Sequence, residues 1–382
     1  MIYSTFNEST FDATKEPMFL GKNVNVARYD KQKYPAFEKL IQKQLSFFWR
    51  PEEIDLTKDR KDFIGMAEHE RHIFLSNLKY QTLLDSVQGR SPSVAFLPIV
   101  SLPELETWFE TWSFSETIHS RSYTHIIRNI ISDPSIVFDD IVANENIKER
   151  AFSVTENYDR LIEKSFIYNV DGYINRTVFD QVKNESYQVK VSEDTLMDDV
   201  YMALISVYAL EAIRFYVSFA CTFAFGERAI MEGNAKIIKL IARDEALHKY
   251  GTQMILGYIA NGQEGPKWKA VAHRNRDKAI ALFKAAIHQE KEWASYLFKD
   301  GSMIGLNGQI LSKYVDYISN KALTSIGFGS EFESENDPLP WMKSWLVSDN
   351  VQVAPQESEI SSYLVGQVDS SIGEEDFDDI DL

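Results

Sequence analysis

Acidic side chains set inside oily helical stretches constrain this chain more than any other feature. Glu211 shares the run MALISVYALEAIRFYVSF with one other charge, Arg214, and Asp85 is the only charge between Lys79 and Arg90, in YQTLLDSVQG. An isolated buried carboxylate costs several kcal/mol unless it is paired, protonated or bound to a metal. Each therefore needs a partner. Two Glu-x-x-His pairs can supply one: Glu116/His119 in SFSETIHSRSYTH and Glu245/His248 in LIARDEALHKY. At about 100° per residue, positions i and i+3 share a helix face, so each pair can present one carboxylate oxygen and one imidazole nitrogen to one ion. Spacing alone is weak, because either pair taken singly fits a surface or capping role, and Asp85 alone fits a helix end.

Order along the chain sharpens the signal. Asp85 precedes Glu116 by 31 residues and Glu211 precedes Glu245 by 34, so a lone-carboxylate helix is twice followed by a Glu-x-x-His helix. Ferritin-like di-iron and di-manganese bundles have this arrangement, with four inward helices giving four carboxylates and two His. The departure is aspartate at 85. The expected fold class is all-α, a ferritin-like helical bundle around a dimetal site. Two divalent ions balance four carboxylates, whereas an empty site forces like charges together and raises carboxylate pKa values. Tyr123, seven residues after Glu116, is displaced from it by about 20° on the same face, and helical side chains lean toward the N-terminus, so its phenol can approach the metals. As one of 18 tyrosines, on position alone it is more often core filler. Phe215 and Phe219 can pack a dry pocket near Glu211, although aromatics at i and i+4 also serve simply as core. His69, His72, His125, His273 and His288 lack the pattern and read as ordinary surface or core residues. Gly301-SMI-Gly305-LN-Gly308 reads as a loop.

Helical punctuation dominates the remaining chain. Residues 34–48 read as a helix closed by Arg50-Pro51, and 68–87 as a second ending at Gly89. A third runs from a Ser101/Glu104 capping box to Asp133-Pro134, about 45 Å at 1.5 Å per residue. Helices are expected over 195–225 and 227–260, parted near Gly226 and stopped at Asn261-Gly262, and over 266–298. Segment 166–192, with its Asp171-Gly172 turn signal and alternating Tyr187–Val191 run, reads as a hairpin or irregular insertion. The expected division is a helical body over 1–345 and a flexible acidic tail over 346–382. The tail carries ten acids and no Lys or Arg, more than half of the net −17, and its composition suits disorder in isolation.

That charge leaves no basic surface to track a phosphate backbone, so nucleic acid is not an expected partner. One cysteine, Cys221, rules out an intramolecular disulfide and a Cys-based zinc site and suits a reducing cytoplasm. It also rules out a reaction that needs a dithiol from this chain alone. The N-terminus lacks the basic-then-apolar pattern of a secretory signal. Glu211 and Arg214 interrupt the most apolar stretch, 202–225, below the roughly 18 uncharged residues of a membrane span. The expectation is a soluble cytoplasmic protein.

At these residues the sequence resembles a known family, the radical-generating small (beta) subunit of aerobic class Ia ribonucleotide reductase, especially enterobacterial and phage forms. The resemblance is carried by KEPMFLGKNVNVARYDKQKYPAFEKLIQKQLSFFWRPEE, NLKYQTLLDSVQGRSPSVAFLP, ELETWFETWSFSETIHSRSYTHIIRNI, ALEAIRFYVSFACTFAF, EGNAKIIKLIARDEALH and WLVSDNVQVAPQESEISSYLVGQ. Residues 151–200, 255–280 and the last dozen match poorly. The resemblance implies a di-iron site, oxo-bridged when oxidised, in which Asp85, Glu116 and His119 bind one iron and Glu211, Glu245 and His248 the other, with carboxylates bridging. Manganese suits the same donors. It implies that Tyr123 carries a tyrosyl radical shielded by Phe215, Phe219 and Ile241, and that Trp49, Asp244 and His119 form an electron and proton relay. Glu357 and Tyr363 match tail residues that pass the radical to the large (alpha) subunit, which binds the end of the tail. Dioxygen is the implied oxidant, and four electrons balance its reduction: two from iron, one from Tyr123 and one from outside, through Trp49. Ribonucleotide reduction would then belong to the partner, which holds the thiols. A homodimer is expected from the buried helical surface. Two other readings remain open: a stand-alone di-iron hydroxylase or desaturase, and a non-catalytic iron-storage protein or plain bundle.

Overall fold

The computed structural model describes residues 4, 6, 8, 10–332 and 336–346. Glu357, Tyr363 and nearly all of the expected tail lie outside the described residues. In chain order the helices are α1 (Pro35–Ser46), α2 (Thr57–Gly65), α3 (Glu68–Gln88), α4 (Ser91–Phe96), α5 (Pro103–Ile130), α6 (Pro134–Ile141) and α7 (Glu145–Asp171). A hairpin follows, β1 (Ile174–Asp180) and β2 (Glu185–Val191), then α8 (Glu193–Ala209), a π-helical turn (Leu210–Arg214), α9 (Phe215–Glu227), α10 (Glu232–Ala260), α11 (Pro266–Leu297), α12 (Gly308–Ser325) and α13 (Met342–Leu346). The four helices expected to carry the site form the bundle: α3 packs on α5 and α9, and α10 packs on α5, α8 and α9.

Local chemistry sets the ends of these helices. Pro103 opens α5 at its first position, where the missing N–H is no loss. Gly89 closes α3, its N–H donating to the Asp85 carbonyl at 2.8 Å. The start of α10 is capped from a distance. Its N-cap, Met231, adopts a left-handed conformation and gives no side-chain hydrogen bond. The amides of Gly233 and Asn234 donate instead to the buried Asp59 of α2, at 3.0 and 2.6 Å. That places an acid at the positive end of the helix. Asn261 and Gly262 end α10 as expected, with Gly262 at φ +82°.

Several expectations need correction. Ser101 and Glu104 do not form a capping box. The N-cap of α5 is Leu102, without a side-chain bond. Ser101 Oγ accepts from Gly21 N at 2.8 Å, and Glu104 Oε1 accepts from the amides of Lys33 and Tyr34 at 2.8 and 3.0 Å. Both groups thus dock the N-terminal segment, a long-range use that outcompetes the local one. Of segment 166–192, the first six residues complete helix α7. The remainder is an antiparallel hairpin with Ile174 opposite Val191 and Asp180 opposite Glu185. Asn144, accepting from Asn146 N, and Gly172 at φ +75° bound a helix that the sequence reading did not separate out. The expected 195–225 helix is present but carries the π-turn at Glu211. Its most apolar window is 94% buried within the molecule, so this is a core helix.

Candidate metal centre

The six predicted ligands meet in the middle of the bundle, each no more than 1% exposed. Asp85 comes from α3, Glu116 and His119 from α5, Glu211 from the π-turn, and Glu245 and His248 from α10. They form two overlapping donor sets: Asp85, Glu116, His119 and Glu245, and Glu116, Glu211, Glu245 and His248, with the donor atoms of each set within 4.8 Å of one another. His119 Nδ1 lies 3.1 Å from Glu116 Oε2 and 3.2 Å from Glu245 Oε1, and His248 Nδ1 lies 3.0 Å from Glu116 Oε1 and 2.9 Å from Glu245 Oε2. Glu116 and Glu245 therefore each face both imidazoles, one oxygen to each side. Asp85 and Glu211 belong to one set apiece. This division into shared and terminal carboxylates was not legible in the order of residues.

Direct hydrogen bonding leaves much of the cluster unsatisfied. Both Asp85 oxygens and Glu211 Oε2 are buried with no hydrogen-bond partner among the described residues. So many orphaned acceptors in one place suit cations better than protein donors. The charges say the same. Burial, then the charges of Glu116 and Glu245, raise the Asp85 carboxyl well above the usual range; burial, then Glu245 and Glu116, do so for Glu211. Burial disfavours charge on His119, but hydrogen bonds to Asp244, Glu116 and Glu245 outweigh it and push the imidazole well up. Burial opposes charge on Glu245 too, yet His119 and His248 hold its pKa low. Two divalent ions would neutralise the same four carboxylates. Mixed carboxylate and imidazole donors suit iron and manganese alike.

A second layer holds the first. Trp112 Nε1 donates to Glu116 Oε1 at 2.8 Å, and Gln88 Nε2 donates to Glu211 Oε1 at 2.6 Å while its Oε1 accepts from Tyr158 at 2.9 Å. Asp244 Oδ2 lies 3.1 Å from His119 Nε2 and accepts from Trp49 Nε1 at 2.9 Å and Ser115 Oγ at 3.3 Å. Trp49, Asp244 and His119 thus form one continuous hydrogen-bonded line. Trp112, Gln88 and Tyr158 were missed from the sequence, since none has a spacing signature relative to its partner. Tyr123 is fully buried, its hydroxyl makes no geometrically regular hydrogen bond among the described residues, and its phenol pKa is raised by burial, then by the charges of Asp85 and Glu245. Phe215 and Phe219, with ring centroids 5.9 Å apart, and Ile241 are all buried, on α9 and α10.

Comparison with known proteins adds an independent line. The family model "Ribonucleotide reductase, small chain" matches residues 27–338. The chain belongs to the ribonucleotide reductase small-chain family. Among its relatives, the ribonucleoside-diphosphate reductase subunit beta of Haemophilus influenzae is 61% identical over all of both chains, and that of Enterobacteria phage T4 is 45% identical over 97% of this chain and 96% of the phage protein. Solved small-chain structures share the fold. A ribonucleotide reductase R2 subunit from Clostridium botulinum superposes with a TM-score of 0.75 at 22% identity, covering 91% of this chain and 98% of that one. A dimanganese(II) NrdF of Streptococcus sanguinis gives 0.66 at 19% identity, covering 85% and 100%.

Proposed function

We propose that this small chain is the radical-generating beta subunit of a ribonucleoside-diphosphate reductase, with Asp85, Glu116, His119, Glu211, Glu245 and His248 holding two iron ions. The observation that carries this reading is the pair of overlapping donor sets joined by Glu116 and Glu245, together with full-length identity to named beta subunits. When bound, the metal pair would supply two of the four electrons, and the Lewis acidity, for reducing dioxygen, the other two coming from Tyr123 and through Trp49. The chain's own residues do the rest. His119 and His248 offer Nδ1 to the ions, and Asp244 holds the opposite nitrogen of His119. Trp112 and Gln88 fix one oxygen each of Glu116 and Glu211. Tyr123 gives up one electron. Oxidised phenol is a strong acid, so its hydroxyl proton would pass to Asp85, the first charge acting on it, whose carboxylate would be ionised once the ions are in place. Phe215, Phe219 and Ile241 keep water from the resulting radical. The second electron drawn from the protein side enters through Trp49, along the line to Asp244 and His119.

The large alpha subunit is the proposed partner, and the cysteine count supports it: with Cys221 buried and alone, the dithiol chemistry must lie elsewhere. In this reading Glu357 and Tyr363 hand the radical on from the tail, the end of which binds the large subunit, and two small chains pair. The setting is the cytoplasm. A hydroxylase or desaturase would need an organic substrate beside the metals, whereas every ligand here is sealed from solvent. Replacing Tyr123 with Phe should leave two irons bound per chain and abolish the organic radical signal in electron paramagnetic resonance after aerobic reconstitution. A persisting signal would refute the assignment.

A further inference from the structure

Glu211 differs from the other five ligands in being carried by a π-turn rather than a regular helix. A π-turn closes i→i+5 and holds one residue more than an α-turn, a conformation that is rare and found mostly as single turns at functional sites. Were the turn to revert, residues on its two sides would rotate by about 100° relative to each other. Either Glu211 or the pair Phe215 and Phe219 would then leave the centre of the bundle. Something must hold the turn open.

Arg214, the last residue of that turn, is 3% exposed. Its guanidinium points away from the ligand cluster, into a layer between α7 and α11. There Nη2 donates to Ser153 Oγ at 2.7 Å and to Gln289 Oε1 at 2.9 Å, and Nη1 donates to Glu290 Oε1 at 3.3 Å. Glu290, fully buried, also accepts from Tyr80 of α3 at 2.5 Å, five residues before Asp85. Arg150 of α7 lies over the Trp293 ring at 5.2 Å, in the same layer. A buried ion pair contributes little net stability, because desolvation offsets the attraction; where one is kept, the gain is in specifying one geometry. The planar fork of arginine suits it to fixing direction as well as charge. On its opposite side the turn is held by Gln88 through Glu211 itself.

We infer that Arg214 and Glu290 are positioning residues, a buried ion pair that pins the π-turn to α3, α7 and α11 and so sets where the Glu211 carboxylate stands. The inference rests on the reading of Glu211 as a metal ligand. Neither residue touches the ions or the reacting atoms. Their effect is on the affinity and geometry of one of the two sites.

The test is a cobalt(II) titration of metal-free, full-length protein, read by the cobalt absorption spectrum and by ions bound per chain, with thermal unfolding measured alongside. Glu211→Ala serves as the comparator. The double variant Arg214→Leu/Glu290→Leu removes both charges together, so its unfolding midpoint should stay close to that of the parent chain. It should bind one cobalt ion as before and the second at least tenfold more weakly, with a spectrum shifted toward that of Glu211→Ala. Arg214→Lys, which keeps the charge but not the fork, should fall between. Two ions bound by the double variant with parental affinity and spectrum would overturn the inference. Should the double variant fail to fold, Glu290→Gln gives the same readout, and parental binding by that variant overturns the inference equally. Parental binding by Glu211→Ala would instead overturn the ligand reading beneath it.

Discussion

Asp244 shows how much one side chain beyond the ligands can control. A single oxygen, Oδ2, faces both Trp49 Nε1 and His119 Nε2. An asparagine there can set its carbonyl oxygen at the same point, but it brings no negative charge to the imidazole and turns its N–H₂ toward Arg243, whose Nε lies 3.7 Å from Oδ1. Asp244→Asn should therefore weaken metal binding at the His119 site by about 10- to 100-fold, the usual effect of losing an outer partner of a ligating imidazole. Competition with a chelator of known affinity measures this, and unchanged affinity would mean that Asp244 does not orient His119. The six residues that converge at the centre were legible in the sequence because acids in apolar helices are conspicuous and because the Glu-x-x-His spacing repeats in the right order. Trp49 and Asp244 became visible only through the family resemblance. Gln88, Trp112 and Tyr158 stayed hidden, since amides and aromatics are unremarkable in a helix and Gln88 meets Glu211 from 123 residues away.

At the scale of the element, close approach between α5 and α10 depends on a residue without a side chain. A Cβ on Gly251 would stand 2.6 Å from the Trp108 ring, which packs at 6.2 Å against His248. Gly251→Ala should lower stability by about 1–3 kcal/mol through overpacking, seen as an earlier thermal unfolding midpoint. An unchanged midpoint would show that α5 yields without cost. The start of α10 gives a second case. Asp59→Ala removes the acceptor for the buried amide of Asn234 and the half-buried amide of Gly233 and should cost about 1–3 kcal/mol, again read by thermal unfolding. The long helices α1, α3, α5, α8–α9, α10 and α11 followed from Pro, Gly and apolar spacing, whereas α7, α12 and the short helices α2, α4, α6 and α13 did not. Ser101 and Glu104 misled because a local cap and a long-range dock use the same atoms, and sequence cannot rank them. The π-turn left no trace in LEAIR, and the contacts made by its Arg214 reach Ser153 of α7 and Gln289 of α11, 61 and 75 residues away.

For the whole molecule, charge and chemistry divide along the chain. The body houses a sealed cluster of four carboxylates and two imidazoles, whereas the last residues carry a dense acidic run, GEEDFDDIDL. A folded body can keep its cofactor while a terminal segment binds a partner. Removing residues 360–382 should therefore spare the radical and eliminate both binding of the large subunit and reductase activity. Undiminished complex formation would count against the tail as the docking element. The central claim, that six side chains from four helical segments enclose two cations, has its most direct test in anomalous diffraction from metal-loaded crystals. Two peaks are expected between His119 and His248, each about 2 Å from one imidazole Nδ1, with Asp85 on the first, Glu211 on the second, and Glu116 and Glu245 touching both. A single peak, or a loaded form in which Asp85 or Glu211 contacts neither ion, would contradict it.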